Sequence, residues 1–288
     1  GNDRGQVGNG STGDVLEPLQ VGVGSWKSVS AGSEHTCGVD SSDALWCWGG
    51  GARGQVGDGA ATDALSPVPV GAGLWKWVSA GGGHTCGLRS DDALWCWGGN
   101  DRGQVGDGST GDVLEPVQVG VGSWKLVSAG GEHTCGIRSV DAVSCWGANG
   151  DGQVGNGDPG DALEPLPVGV GSWKSVSAGG GHTCAIRSDG RLWCWGRNET
   201  GQVGDGTTNG APVPVLVGAA SWKSVSAGGG HTCGIEADNV RSCWGGNDVG
   251  QLADTTTAGP QVVPTRVGGD LPNWSVVSTG GRHSCGIA

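Results

Sequence analysis

The sequence predicts an all-β fold, a β-propeller of four-stranded blades, and three observations carry that prediction. First, the chain repeats itself: His stands at 35, 84, 133, 182, 231 and 283, in steps of 49, 49, 49, 49 and 52 residues. Second, short apolar stretches within each step are separated by Gly-rich turns, and 63 of the 288 residues are Gly. Third, the first five copies each carry two Cys ten residues apart, a spacing that suits neighbouring strands of one hairpin. A period near fifty with short strands and Gly turns gives one four-stranded blade per repeat. A helical reading fails, because each Gly in a helix interior costs about 1 kcal/mol. The His series indicates six blades, one of them incomplete. No linker, charge block or composition change divides residues 1–288, so a single domain is expected, its ring closed between the N- and C-terminal segments.

The elements follow in order within the copy that starts at Trp173. The first strand is placed at 175–178, just after this Trp, and a Gly179-Gly180-Gly181 turn leads to the second at 182–186. A Ser188-Asp189-Gly190 turn, with Gly supplying a positive φ, leads to the third at 192–195. There Trp193 and Trp195 face one way and Leu192 and Cys194 the other, as expected when a blade is covered on both faces. A long Gly-rich loop precedes the fourth strand at 212–217, where Pro suits an outer edge that needs no N–H donor.

A hairpin centred on Asp189 sets Cys184 directly opposite Cys194, a geometry compatible with a disulfide. The same arithmetic pairs Cys37 with Cys47, Cys86 with Cys96, Cys135 with Cys145, and Cys233 with Cys243. Each staple contributes about 2–3 kcal/mol and implies an oxidising compartment, hence secretion or the cell surface. Free buried thiols and zinc are the rivals. Zinc is disfavoured because His and Cys two apart share one side of a strand and do not form a tetrahedral cage. Cys285 has no partner in this chain, since its third strand would lie beyond Ala288, while the N-terminus begins in mid-repeat. In the circular reading the C-terminus supplies the first two strands of the last blade. The N-terminus then supplies its loop and an outer strand near 19–21. The third strand is either missing from the sequence or donated by a neighbouring molecule.

The unit SAGGGHTCAIRSDGRLWCWGRNETGQVGDGT resembles the repeat of the regulator of chromosome condensation family. That pattern joins a Gly-rich turn with His-Thr, a Ser-Asp-Gly turn, a Trp-Gly and an Asn-x-x-Gly-Gln-Leu/Val-Gly loop, and it recurs along essentially the whole chain. The resemblance implies a propeller that binds proteins, customarily of seven blades, without implying shared chemistry. Similar proteins include a nuclear guanine-nucleotide exchange factor, a plant ultraviolet-B photoreceptor and a secreted β-lactamase inhibitor protein (type II). This chain departs from the pattern in its paired Cys, its shorter repeats and its count, and reads as a disulfide-containing extracellular variant. The photoreceptor's Trp-Arg before His-Thr is absent, so Trp46, Trp48, Trp95 and Trp97 read as core.

Composition and spacing narrow the function. A net charge of −12 disfavours nucleic acid as a partner, and no apolar run is long enough to insert in a membrane. The evenly spaced His read as scaffold that satisfies backbone groups at the first turn, since a reaction centre needs different groups converging. GQVGDGST lacks the Lys-Ser/Thr ending of a phosphate loop. Asp58 with Asp63 and Asp107 with Asp112 lack a full calcium-ligand pattern and read as solvated loop charge. No enzyme, cofactor or metal is expected. Sequons at Asn9, Asn198 and Asn273 are candidate glycosylation sites. Residues that break the repeat, Glu34, Arg53, Trp77, Glu132, Arg197 and Arg282, with the segment 254–260, are the interface candidates. Strand alternation gathers His and Asp on one rim and Lys27, Lys76, Lys125, Lys174 and Lys223 on the other. The expected function is a secreted structural or interaction propeller that associates head to tail, as in an extracellular filament. The alternative is a soluble binder or inhibitor of another extracellular protein, using one rim.

Overall fold

The computed structural model describes residues 1–22, 24–254, 259–267 and 273–288. Among them there is no helix, and the strands form successive antiparallel units in chain order. The first unit holds β1 (Trp26–Ala31), β2 (His35–Asp40), β3 (Leu45–Gly49) and β4 (Ala64–Pro69). The second holds β5 (Trp75–Ala80), β6 (His84–Arg89), β7 (Leu94–Gly98) and β8 (Val113–Gln118). The third holds β9 (Trp124–Ala129), β10 (His133–Arg138), β11 (Val143–Gly147) and β12 (Ala162–Pro167). The fourth begins with β13 (Trp173–Ala178), β14 (His182–Arg187) and β15 (Arg191–Gly196).

β16 (Ala211–Ala227) then serves twice. Its start pairs with β15 as an outer strand, and its end pairs with β17 (His231–Glu236) as the inner strand of the fifth unit, which β18 (Arg241–Gly245) and β19 (Gln261–Arg266) complete. The cause is local. Earlier links turn on a second Gly at positive φ, as at Gly122 (103°) and Gly171 (125°). Ala220 stands in that place here, and an L side chain rarely adopts that conformation. The sixth unit is a two-stranded sheet of β20 (Val276–Thr279) and β21 (Ser284–Ile287).

Residues 1–22 form no strand, and the outer strand expected near 19–21 is not made: Leu16 is 97% and Leu19 53% exposed. Their loop seats on the first unit, where the Gln6 carbonyl accepts from Thr36 Oγ1 at 2.9 Å and Trp48 Nε1 at 3.0 Å. The core lies between consecutive units. Trp75, Trp97, Trp124, Trp146, Trp173 and Trp195 are fully buried. They meet in edge-on pairs, Trp75 with Trp97 at 5.8 Å and Trp173 with Trp195 at 6.2 Å between centroids. The expectation that all third-strand Trp are core is corrected: Trp46 and Trp95 are half-buried. Trp46 Nε1 donates to Asp40 Oδ2, and the Arg89 guanidinium lies 3.9 Å from the Trp95 ring centre.

The hairpin register places Cys37, Cys86, Cys135, Cys184 and Cys233 directly opposite Cys47, Cys96, Cys145, Cys194 and Cys243. All five pairs are disulfides, each with 4.1 Å between Cα atoms. Cys285 is an exposed free thiol.

Candidate protein-interaction site

The inner strands and the turns that follow them surround a cavity of about 770 Å³, lined by all six units from Val29 and Ser30 to Thr279 and His283. Its wall is mostly main chain. The N–H of Gly82 donates to the Gly130 carbonyl, Gly131 to Gly179 and Gly180 to Gly228, each at 2.9 Å, and Gly229 to Gly280 at 3.1 Å. Units therefore touch backbone to backbone, and a Cβ at Gly131 would lie 2.5 Å from the Gly180 oxygen.

Just outside this belt runs a second one. His35 Nε2 meets Thr85 Oγ1 of the next unit at 2.8 Å; His84–Thr134, His133–Thr183 and His182–Thr232 repeat the contact, and His231–Ser284 continues it at 2.9 Å. The Thr85 hydroxyl donates onward to the Gln55 carbonyl at 2.7 Å, so its oxygen accepts and Nε2 carries the proton. This corrects the expectation that each His satisfies its own turn's backbone: the imidazole joins neighbouring units. Burial drives these rings toward the neutral form, with pKa values lowered to about 4 for His35, His133 and His231. His84 and His182 fall to about 3, burial again leading and neighbouring His adding.

The interface candidates distribute unevenly. Glu34, Glu132 and Arg282 stand exposed at the turns immediately before His35, His133 and His283. Arg53 lies on the same rim but is engaged, its Nη2 2.8 Å from both Asp101 Oδ1 and Asp112 Oδ1 of the next unit. Arg197 pairs with Glu199. Trp77 sits apart on β5, 42% exposed, with Nε1 donating to the Val127 carbonyl at 3.3 Å. Of the segment 254–260, residues 255–258 lie outside the described residues.

Loop carboxylates have structural work. Asp112 Oδ1 accepts from the Asn100 N–H as well as from Arg53, and Asp107 Oδ1 accepts from Asn100 Nδ2 and the Ser109 N–H. These oxygens face N–H donors. Asn198 is corrected as a glycan acceptor. It is 1% exposed; its amide donates to Asp205 Oδ1, the Thr207 carbonyl and the Asn209 carbonyl, while its Oδ1 accepts from the Val203 N–H. Asn2, Asn100, Asn149 and Asn247 share its place, and their spacing of 49 or twice 49 was the sequence signal for this role. Asn9 and Asn273 are exposed.

On the opposite rim three of the lysines are ion-paired within their own units. Lys27 pairs with Asp43, Lys76 with Asp92 and Lys125 with Asp141, and Lys223 donates to Asn239. Lys174 faces Gly190 at the equivalent turn and has no ion pair among the described residues. A pocket of about 380 Å³ there is lined by residues that include Lys125, Ile137, Asp141, Trp173 and Lys174. No described helix is long and apolar enough to cross a membrane.

Comparison with solved structures supports the fold these contacts describe. Prp20p from Saccharomyces cerevisiae, described by its binding to Gsp1p and histones, is similar at a TM-score of 0.81 and 20% identity, over 91% of this chain and 68% of that one. Human WBSCR16 matches at 0.81 and 19% identity, over 90% and 71%. The CRINKLY WD40 ectodomain of the Arabidopsis thaliana receptor kinase ACR4 matches at 0.54 and 21%, over 91% and 74%. Among curated proteins no sequence matches. The family model for the RCC1-like domain matches residues 1–286, and with the repeated His, Trp and loop Gln contacts in register beneath that match, the chain belongs to the RCC1-like family.

Proposed function

We propose that this protein is a secreted, non-enzymatic interaction module that presents its acidic, His-side rim to a cationic protein surface. The charge arrangement carries this reading: Glu34, Asp58, Asp107 and Glu132 are exposed on that rim, while Arg53 and Arg197 there are already paired. Apart from exposed Arg282 the rim is acidic, and a net negative field on a rigid frame raises the encounter rate with a cationic partner. Five disulfides suit an oxidising compartment, and a receptor-kinase ectodomain among the similar structures supports the same address. Prp20p, described as binding other proteins, supports the interaction role. In this reading six units close between residues 1–22 and β20–β21.

The test is affinity capture from the medium of the producing cells, with Glu34→Lys/Glu132→Lys as control. The reading predicts a partner held by the native protein, released by added salt, and reduced about tenfold by the double variant. Equal capture by both proteins overturns it. Head-to-tail association of copies into a filament is the second reading, and unpaired Lys174 on the far rim favours it. Sedimentation at low salt then shows particles that dissociate near 0.5 M salt, on the order of the concentration that screens such contacts; a strictly monomeric mass at low salt and high concentration removes it.

A further inference from the structure

We infer that the junction of the third and fourth units holds a binding site for a small organic monocarboxylate, a compact apolar body carrying one carboxylate. The site lies on the rim opposite the acidic one and is independent of the partner proposed for that rim.

The pocket of about 380 Å³ is formed by β9, β10 and the following turn of the third unit and by β13 and the hairpin turn of the fourth. Its volume falls among small-molecule clefts, about 300–1,000 Å³. Main chain holds the two sides together, with the Trp173 N–H donating to the Asp141 carbonyl at 2.9 Å. Leu126, Ile137 and Trp173 supply the apolar surface, and Ile137 and Trp173 are each 1% exposed, so core packing fixes their positions.

Two departures from the repeat coincide at this junction. The first makes room. In the second unit the place of Leu126 is taken by Trp77, whose indole crosses to the third unit and donates to the Val127 carbonyl at 3.3 Å. Ser28, Ser175 and Ser224 stand there in the other complete units. Leu126 is shorter than the Trp and apolar where the Ser are not, so space and apolar surface occur together. The second departure frees a charge. Lys27, Lys76 and Lys125 each pair with the Asp of their own hairpin turn. Gly190 stands in that place in the fourth unit, and Lys174 has no ion pair among the described residues.

The charges then select the ligand. Lys125 and Lys174 line the pocket against one carboxylate, Asp141, whose Oδ1 holds Lys125 Nζ at 2.5 Å. Asp189, beside the lining Ser188, is itself 3.8 Å from Arg191. The lining therefore has a single uncompensated positive charge, which one carboxylate neutralises. A dianion would set a surplus charge against Asp141, and a neutral ligand would leave Lys174 unused. The exposed Ser188 hydroxyl is a second donor at the same wall. A Lys–carboxylate contact at an open mouth is charge-assisted but weakened by water, so the apolar body has to supply the rest of the affinity.

The probe is hydrocinnamate, with hydrocinnamide as its uncharged twin, titrated into the native protein and followed by amide NMR. The expected result is saturable binding of one molecule per chain with a Kd on the order of 1 mM. Shifts centre on the amides of 125–126, 141 and 173–174. Hydrocinnamide to the native protein, and hydrocinnamate to Lys174→Gln, bind at least about fivefold more weakly. Leu126→Trp, which places in the third unit the side chain that the second already carries, abolishes binding. Lys174 is exposed, so its variant reads the site without touching the core. Absence of saturable shifts up to about 20 mM, equal affinity for the acid and the amide, or unchanged affinity in Lys174→Gln each overturns the proposal.

Discussion

Asp43, Asp92, Asp141 and Asn239 hold their backbones at φ of 66, 68, 63 and 68°, at the last position of the hairpin turn that joins the two Cys-bearing strands. Asx residues tolerate this conformation better than other side chains, and here their oxygens also receive the Lys sixteen residues earlier. Gly190 meets the backbone requirement at φ 85° but offers no oxygen, which leaves Lys174 alone. Gly57 illustrates a stricter demand. It sits at φ 82°, and a Cβ would approach Trp97 Nε1 to 2.4 Å, against the indole's bond to Gln55. Gly57→Ala is therefore expected to cost about 2 kcal/mol or more, read as a lower urea midpoint. The five buried histidines supply a pH dependence. Their folded pKa values of about 3 to 4 lie below the unfolded value of about 6.5, so the unfolded chain binds more protons. Stability is full above about pH 6.5 and falls toward pH 4, by up to about 1.4 kcal/mol per pH unit per histidine. Denaturant titrations from about pH 7 to 4.5 check this, and His133→Gln is expected to flatten the slope by one proton. The sequence announced these His by period, but it did not say what they touch. Their partners are fifty to fifty-three residues away, on the next unit.

Hairpins were the most legible elements. Two Cys ten apart around a Ser-Asp-Gly turn fix a register without reference to the rest of the fold, and Cys184 does face Cys194. Changing both to Ser is expected to lower stability by about 2–3 kcal/mol. The check is a lower denaturant midpoint and faster amide exchange in β14 and β15, with the other hairpins retained. The strand predicted at 212–217 appears, but β16 runs on to Ala227 because Ala220 replaces a turn glycine, a change of one residue within a near-identical link. Position 19–21 was misread for a different reason: an outer strand needs the third strand beside it, and among the described residues no strand pairs with that segment. The Asn198 sequon failed because a local motif says nothing about burial.

Between units, cohesion comes from repeated contacts of modest individual strength: the glycine belt, the His–Thr belt, and Ser Oγ acceptors such as Ser30, which takes the Ala80 N–H at 2.9 Å. The belt explains the paired glycines after the inner strands, whose cause is visible only when two units meet, while many other glycines hold positive φ in the loops. A matched pair of variants tests it. Gly131→Ala brings a Cβ against the Gly180 carbonyl and is expected to cost more than about 2 kcal/mol. Gly111→Ala has open space around it and is expected to change stability by less than about 0.5 kcal/mol. Thermal or urea unfolding of the two distinguishes steric contact from glycine content in general. The same belt sets a limit on variation. In the closed ring proposed above, the inner wall is mostly peptide groups and small side chains, so its bore is a count and not a composition. Point substitution can decorate the mouth but not widen the opening; only gaining or losing a whole repeat changes the calibre, so proteins built this way are expected to diversify their inner dimensions by duplication.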